Sequence, residues 1–218
     1  MGKPTKKQIV KALLERHGRA YCQELGIDIA RNTPSPLFRW LCASILFSTR
    51  ISSDLAIAAA KALAKEGWTT PEKMSDTSWS QRTRALNRSG YARYDESTSR
   101  MLGATTDLLL DDYGGDLREL RQEAEREPGT ERALLKKFKG LGDVGVDIFF
   151  REAQAAWPEL YPFVDKKALA AAQKLGLGKD ARALSRLVGR ATFPRLVTGL
   201  VRASLEKDYD EIVEQAAS

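Results

Sequence analysis

The chain has 218 residues, with 35 Lys plus Arg against 29 Asp plus Glu, a formal net charge of +6. Its one histidine, His17, and two cysteines, Cys22 and Cys42, are scarce against the three or four ligands that a His/Cys zinc site needs, exclude a four-cysteine iron–sulfur cluster drawn from this sequence, and leave a Ser-His-Asp triad only His17 to use. A hydrophobic fraction of 43% suits a folded chain with a core, and the positive balance favours a polyanionic partner, because Lys and Arg attract phosphates and release their counterions on contact.

Two cysteines make no disulfide framework, so a reduced, cytoplasmic chain is expected. The basic start Met1-Gly2-Lys3-Pro4 leads into no apolar signal stretch. The uncharged run from Trp40 ends at Thr49, before Arg50, far short of the ~20 apolar residues of a membrane span.

No stretch alternates apolar and polar residues for long, and helical signals are frequent, so an all-α chain of about ten helices is predicted. Ser35 can cap a helix with Pro36 at its first position, followed by Leu37, Trp40, Leu41 and Ile45 at helical spacing. Ser52 or Ser53 can cap the next, an Ala-rich helix ended by Gly67. Thr70-Pro71-Glu72 opens a short helix, and Ser75 or Asp76 opens one that reaches Asn87, with Gly90 as the break. A longer helix is predicted over 95–113, with Met101, Leu102, Thr105, Leu108 and Leu109 as its buried stripe and Gly114-Gly115 as its stop. A charged helix over 117–126 is ended by Pro128-Gly129, and Thr130 caps a helix carrying Leu134, Leu135 and Phe138. Shorter helices follow Asp165, Asp180 and Pro194, and a last one spans about 208–217.

Two features carry chemistry. In the run from Leu134 through Lys139-Gly140-Leu141-Gly142-Asp143-Val144-Gly145 to Phe150, one helix ends and another begins at about Asp143. Gly140 and Gly142 permit positive φ and close approach of a foreign backbone. The backbone N–H groups at such a helix start form an anion site, with Lys136, Lys137 and Lys139 beside it. An ordinary glycine-turned helical corner reads the same way. Downstream, Phe163-Val164-Asp165-Lys166 places a carboxylate at a helix start, either a plain N-cap or a catalytic group at the mouth of a cleft.

The glycine hairpin followed by Val164-Asp165 resembles the helix-hairpin-helix DNA glycosylases of the endonuclease III superfamily. The likeness extends to the run from Ser35 to Arg50, to Asn87-Arg88-Ser89-Gly90-Tyr91 and to Asp112-Tyr113-Gly114-Gly115-Asp116-Leu117. It implies two helical lobes with a cleft between them: a six-helix barrel over 33–154, with the hairpin at 134–154, and a discontinuous second lobe from 1–32 and 155–218. It also implies that Asp165 is the catalytic carboxylate. Duplex DNA carrying a damaged base would be the partner of a monomer. Lys139, Gly140, Leu141, Gly142, Val144 and Gly145 would grip phosphates, with a monovalent cation at the carbonyls near Lys139 and Leu141. The turn holding Arg50 would fill the gap left by an extruded nucleotide, the turn holding Tyr91 would wedge against the opposite strand, and Lys166 would also contact DNA. Phe38, Trp40 and Phe149 are candidates to stack the extruded base.

Two departures shape the expected activity. Bifunctional members carry, at the position of Val144, a lysine that forms a Schiff base with the sugar; valine has no nucleophile. No cysteine follows Cys42, so no iron–sulfur cofactor is expected. The resemblance therefore implies a monofunctional N-glycosylase of base excision repair that removes a damaged base, with alkylated purines as one class. Its alternatives are a glycosylase/lyase using Lys139 or Lys166, and an inactive DNA-binding member.

Overall fold

The computed structural model describes residues 3–218, and all regular structure among them is helical, as predicted. In chain order the α-helices are α1 (Lys6–His17), α2 (Tyr21–Glu24), α3 (Pro34–Phe47), α4 (Ser53–Lys65), α5 (Pro71–Ser75), α6 (Trp79–Arg88), α7 (Asp95–Tyr113), α8 (Leu117–Glu123), α9 (Pro128–Leu135), α10 (Asp143–Ala153), α11 (Lys166–Lys174), α12 (Ala181–Ser185), α13 (Phe193–Glu206) and α14 (Tyr209–Ala217). None of them is long and apolar enough to cross a membrane.

The chain divides into two compact units, one of Glu24–Phe149 and one of the residues through Gln23 together with Phe150–Ser218. The sequence reading placed these divisions at 32/33 and 154/155. Leu25 and Ile27 belong instead with the first of these units, because they are buried beside Cys42 of α3 and Leu63 of α4.

In the unit of Glu24–Phe149, α3 packs on α4, α7 and α8 through buried Leu37, Trp40, Leu41 and Ile45. Pro34, with Thr33 before it, starts α3; Ser35, the expected cap, instead donates to Thr69 O at 2.9 Å. Ser52 caps α4 as predicted. A capping box of Ser78 and Gln81 starts α6, later than the expected Ser75 or Asp76, because Asp76 closes α5. The α7 helix keeps its predicted bounds and stops on Gly114 at φ 57°, a left-handed conformation that glycine adopts without strain. Its inner stripe is Leu102, Thr105 and Leu109, while Met101 and Leu108 are half-buried.

Pro128 does the opposite of what was expected: it starts α9 rather than ending α8. Glu125 and Arg126 both take positive φ and break the chain first. The Glu127 carboxylate then accepts from Thr130 N at 2.8 Å, and Pro128 sits in the first turn, where a missing N–H leaves nothing unpaired.

In the other unit, α1 packs on α13 and α14, and α11 packs on α13. The core includes Leu13, Leu175, Phe193, Leu196, Leu200 and Ile212, each contributing about 1.5–3 kcal/mol by burial. His17 is a tie within this unit: it is 5% exposed, with Nε2 2.7 Å from Asp208 Oδ2, and Arg16 Nε donates to the same oxygen. Burial pushes the Asp208 carboxyl up, but the hydrogen bonds from Arg16 and His17 outweigh it and hold the group below its ordinary value. The tie therefore stabilises the fold above the unfolded carboxylate range and is lost as pH falls through the lowered native value. Cys42 is a packing residue, since burial pushes its thiol up to about 12 and leaves almost no thiolate for reaction at neutral pH.

Candidate nucleic-acid interface and carboxylate site

The hairpin lies in the unit of Glu24–Phe149. Its first helix, α9, ends at Leu135, earlier than the sequence suggested, and α10 starts at Asp143. Gly140 has φ +90°, and a Cβ there would lie 2.7 Å from Met101 Sδ and 3.2 Å from Ile45 Cγ2. Both its conformation and its packing therefore require glycine. Gly142 differs: a Cβ there would meet nothing within 4 Å, so its bareness leaves room for something outside the chain. Leu141 is 1% exposed and anchors the turn, leaving only its backbone for a ligand. Gly145 is buried, and a Cβ there would meet Leu141 Cδ1 at 2.8 Å.

What the hairpin presents is Lys137, Lys139, Gly142, Asp143 and Val144, all exposed. Val144 is 64% exposed, an unusual setting for valine. Lys136 is also exposed, but its Nζ is 2.8 Å from Asp143 Oδ1, so its charge is partly compensated.

Hydroxyl groups tie the hairpin to the end of α3 and to the middle of α7. Ser48 Oγ donates to Gly140 O at 3.2 Å, and Thr105 Oγ1 donates to Lys139 O at 3.3 Å. The Lys139 carbonyl, expected to face a monovalent cation, thus already receives a protein donor. Thr49 Oγ1 is 2.7 Å from Tyr91 Oη, and Thr98 Oγ1 donates to that oxygen at 3.3 Å. Tyr91, expected among the DNA contacts, is 1% exposed; its ring is core, and its hydroxyl braces the turn before Arg50. Burial pushes the phenol up, offset in part by the hydrogen bonds from Thr49 and Thr98. Arg50 itself is exposed.

The three aromatic candidates for a base pocket are interior. Phe38, Trp40 and Phe149 are at most 1% exposed, and Trp40 Nε1 donates to Phe149 O at 2.9 Å. They form core, because the indole N–H finds its partner on the same packed face, and none offers a ring to a ligand in this conformation.

Asp165 lies in the other unit and is 6% exposed. Its extended backbone, φ −74° and ψ 166°, lets it cap α11. Oδ1 accepts from Lys167 N at 2.9 Å and Ala168 N at 3.0 Å. Oδ2 accepts from Arg151 Nε at 2.8 Å, in an ion pair whose side chains are 6% and 5% exposed. Lys166, next in the chain, is exposed.

Arg151 and Gln154 were missed in the sequence. Gln154 clasps the segment before Asp165: its Nε2 donates to Phe163 O at 3.1 Å, and its Oε1 accepts from Phe163 N at 3.0 Å. The rings of Phe150 and Phe163 meet edge to face at 5.5 Å. Neighbouring Glu152 is also buried and holds the start of α2, accepting from Tyr21 N and Cys22 N, each at 2.7 Å. The signal that could have found them is polar residues directly after the apolar run of Ile148, Phe149 and Phe150, where a buried helix face demands internal partners.

Among the described residues, His17, Glu206 and Asp208 bring ligand atoms close enough to share a metal ion. Arg16 already neutralises Asp208, so an added cation would meet a guanidinium, and the group is better suited to its structural tie.

No protein-family model matches the chain, and no curated protein matches it in sequence. Solved structures do match it in fold. A non-covalent endonuclease III–DNA complex aligns with TM-score 0.56 at 18% identity, covering 91% of this chain and 85% of that one. A trapped endonuclease III–DNA covalent intermediate aligns with TM-score 0.55, at the same identity and coverage. The H. pylori 3-methyladenine DNA glycosylase MagIII, bound to 1,N6-ethenoadenine, aligns with TM-score 0.57 at 15% identity, covering 93% of this chain and 98% of that one. With a glycine hairpin at 140–145 and a capping aspartate at 165, the chain has the fold of the helix-hairpin-helix DNA glycosylases of the endonuclease III superfamily.

Proposed function

We propose that this chain is a monofunctional DNA N-glycosylase of base excision repair. It hydrolyses the N-glycosidic bond of a damaged base turned out of the duplex, and alkylated purines are its substrate class. The observation that carries the monofunctional reading is Val144: an exposed apolar side chain stands where the sequence resemblance expects the Schiff-base lysine of a lyase. Without that amine, water must be the nucleophile.

The chemistry follows from charge. Breaking the bond between C1′ and the base nitrogen builds positive charge on the deoxyribose, which a nearby carboxylate stabilises. Asp165 supplies that carboxylate, and water adds to C1′ and gives up a proton to solvent. The base keeps the electron pair of the broken bond. A purine alkylated at N3 or N7 starts out cationic and departs neutral, so it needs no protein acid. That preference fits a chain whose single histidine is committed to Asp208 and whose Asp165 shares its charge with Arg151. Exposed Lys139 and Lys166 supply phosphate contacts, the turn of exposed Arg50 fills the gap left by the extruded nucleotide, and the bare backbone at Gly142 lets the DNA strand approach.

The close engagement of Asp165 favours a second reading, in which it is only a cap and ion-pair residue of a non-excising DNA-binding protein. A lesion panel separates the two. Duplexes with alkylated purines, uracil, oxidised pyrimidines or an abasic site are incubated with the protein, then read with and without alkali and after borohydride. The proposal expects alkali-dependent strand breaks on an alkylated-base duplex and no trapped covalent adduct. Binding without base loss from any lesion supports the second reading, and a strong trapped band assigns lyase chemistry to Lys139 or Lys166.

A further inference from the structure

We infer that Arg151 is the positioning residue that keeps the Asp165 carboxylate charged and aimed for base release, an inference that rests on the role proposed for Asp165 above. The two side chains are among the most buried charges in their unit, 6% and 5% exposed, with Arg151 Nε 2.8 Å from Asp165 Oδ2. A carboxylate removed from water takes up a proton unless a cation or several donors hold it charged. The amides of Lys167 and Ala168 serve Oδ1. Oδ2 rests on Arg151.

The other charges of the surrounding elements are committed elsewhere. On α10, Glu152 faces Tyr21, Cys22 and Thr198. On α13, which packs against α11, Arg195 donates to Gly18 O and Arg202 stands over the Tyr21 ring. Arg190 stands over Tyr161. Lys166 and Lys167, on the helix that Asp165 caps, are exposed to solvent.

The geometry of the pair also leaves the carboxylate usable. Arg151 donates through Nε alone rather than through a two-pronged fork, so Oδ2 retains acceptor capacity for a water or the sugar. Gln154, in the turn directly after α10, fixes the backbone of Phe163, which sets the distance between the guanidinium and Asp165. Arg151 is 5% exposed, too enclosed to act as a rim phosphate contact, so its influence passes through Asp165.

The test is single-turnover release of free base from an alkylated-purine duplex by wild type, Arg151→Met, Arg151→Lys and Asp165→Asn, between about pH 5.5 and 9. Arg151→Met is expected to lose at least ~10-fold in rate near pH 6 and to recover as pH rises, because an unpaired buried carboxylate must be deprotonated before it can act. Its duplex affinity should stay at the wild-type value, and Arg151→Lys should restore the wild-type pH profile. A loss of equal size at every pH, or no loss, overturns the inference. If Arg151→Met fails to fold, Arg151→Gln, which donates to Oδ2 without charge, carries the same test. Full activity of Asp165→Asn would instead overturn the role of Asp165 itself, so the two failures are distinct.

Discussion

Replacing Gly140 by alanine is expected to lower stability by about 1–3 kcal/mol, the range for a side chain forced into a disfavoured backbone region, and to weaken duplex binding at least ~10-fold through loss of the preorganised turn. The added Cβ would meet Met101 Sδ at 2.7 Å and Ile45 Cγ2 at 3.2 Å, at a φ of +90°. Methionine can yield, but the backbone strain remains, and the Gly140 carbonyl would shift from Ser48 Oγ. Gly142→Ala is the companion variant. It has open space for a Cβ and no left-handed φ, so its melting temperature should match wild type. Its duplex affinity should nonetheless fall, because the methyl group occupies the space left for a DNA strand. Thermal melting and fluorescence anisotropy with labelled duplex read both effects. Unchanged binding by Gly142→Ala would mean that DNA does not approach the backbone there.

Placing a lysine at position 144 is expected to convert the chain from one that forms no covalent intermediate to one that borohydride traps on lesion-containing DNA. Val144 is 64% exposed, so the longer side chain needs no burial and disturbs no packing. It would sit in the first turn of α10, where unpaired backbone N–H groups disfavour an ammonium. That cost is a fraction of a kcal/mol and pushes the amine toward its neutral, nucleophilic form. The amine adds to C1′ as the base leaves, loses a proton, and opens the sugar to the imine that borohydride reduces. Gel-resolved trapping, run beside the wild type, checks this. An untrapped Val144→Lys protein that still excises bases would show that position 144 does not face the reacting sugar.

What could be read from the residues alone was mostly local. Helix α7 was legible throughout because its stripe, its acidic first turn and its glycine stop are all encoded within it. Asp165 was legible as a cap for the same reason, its partners being the amides that follow it. The misreadings share a cause, which is that the deciding partner lies elsewhere in the chain. Tyr91, in the turn expected to wedge the opposite strand, counted among the DNA contacts; Thr49 and Thr98 satisfy its hydroxyl and allow the ring to be buried. Phe38, Trp40 and Phe149 were candidates to stack a base, although the helical spacing of Leu37, Trp40 and Leu41 already marked Trp40 as a core residue; its indole closes onto the backbone of Phe149 inside the core. The partner of Arg151 is not local, and only the return of the chain past Phe163 brings it to Asp165. Pro128 is the local exception: it followed a charged helix and read as its terminator, whereas two adjacent positive-φ residues, Glu125 and Arg126, had already ended that helix.

The central claim is that the Asp165 carboxylate drives hydrolytic release of a damaged base. It is tested most directly by measuring free base released from one alkylated-purine duplex by wild type and by Asp165→Asn, at equal duplex occupancy. The amide cannot carry the charge; its oxygen can still cap α11, while its NH2 meets the Arg151 N–H, so thermal melting and duplex binding of the variant are measured alongside the rate. The account predicts a rate loss of at least ~100-fold, in the range for removing one electrostatic stabiliser of a transition state. Release at the wild-type rate by Asp165→Asn would contradict it.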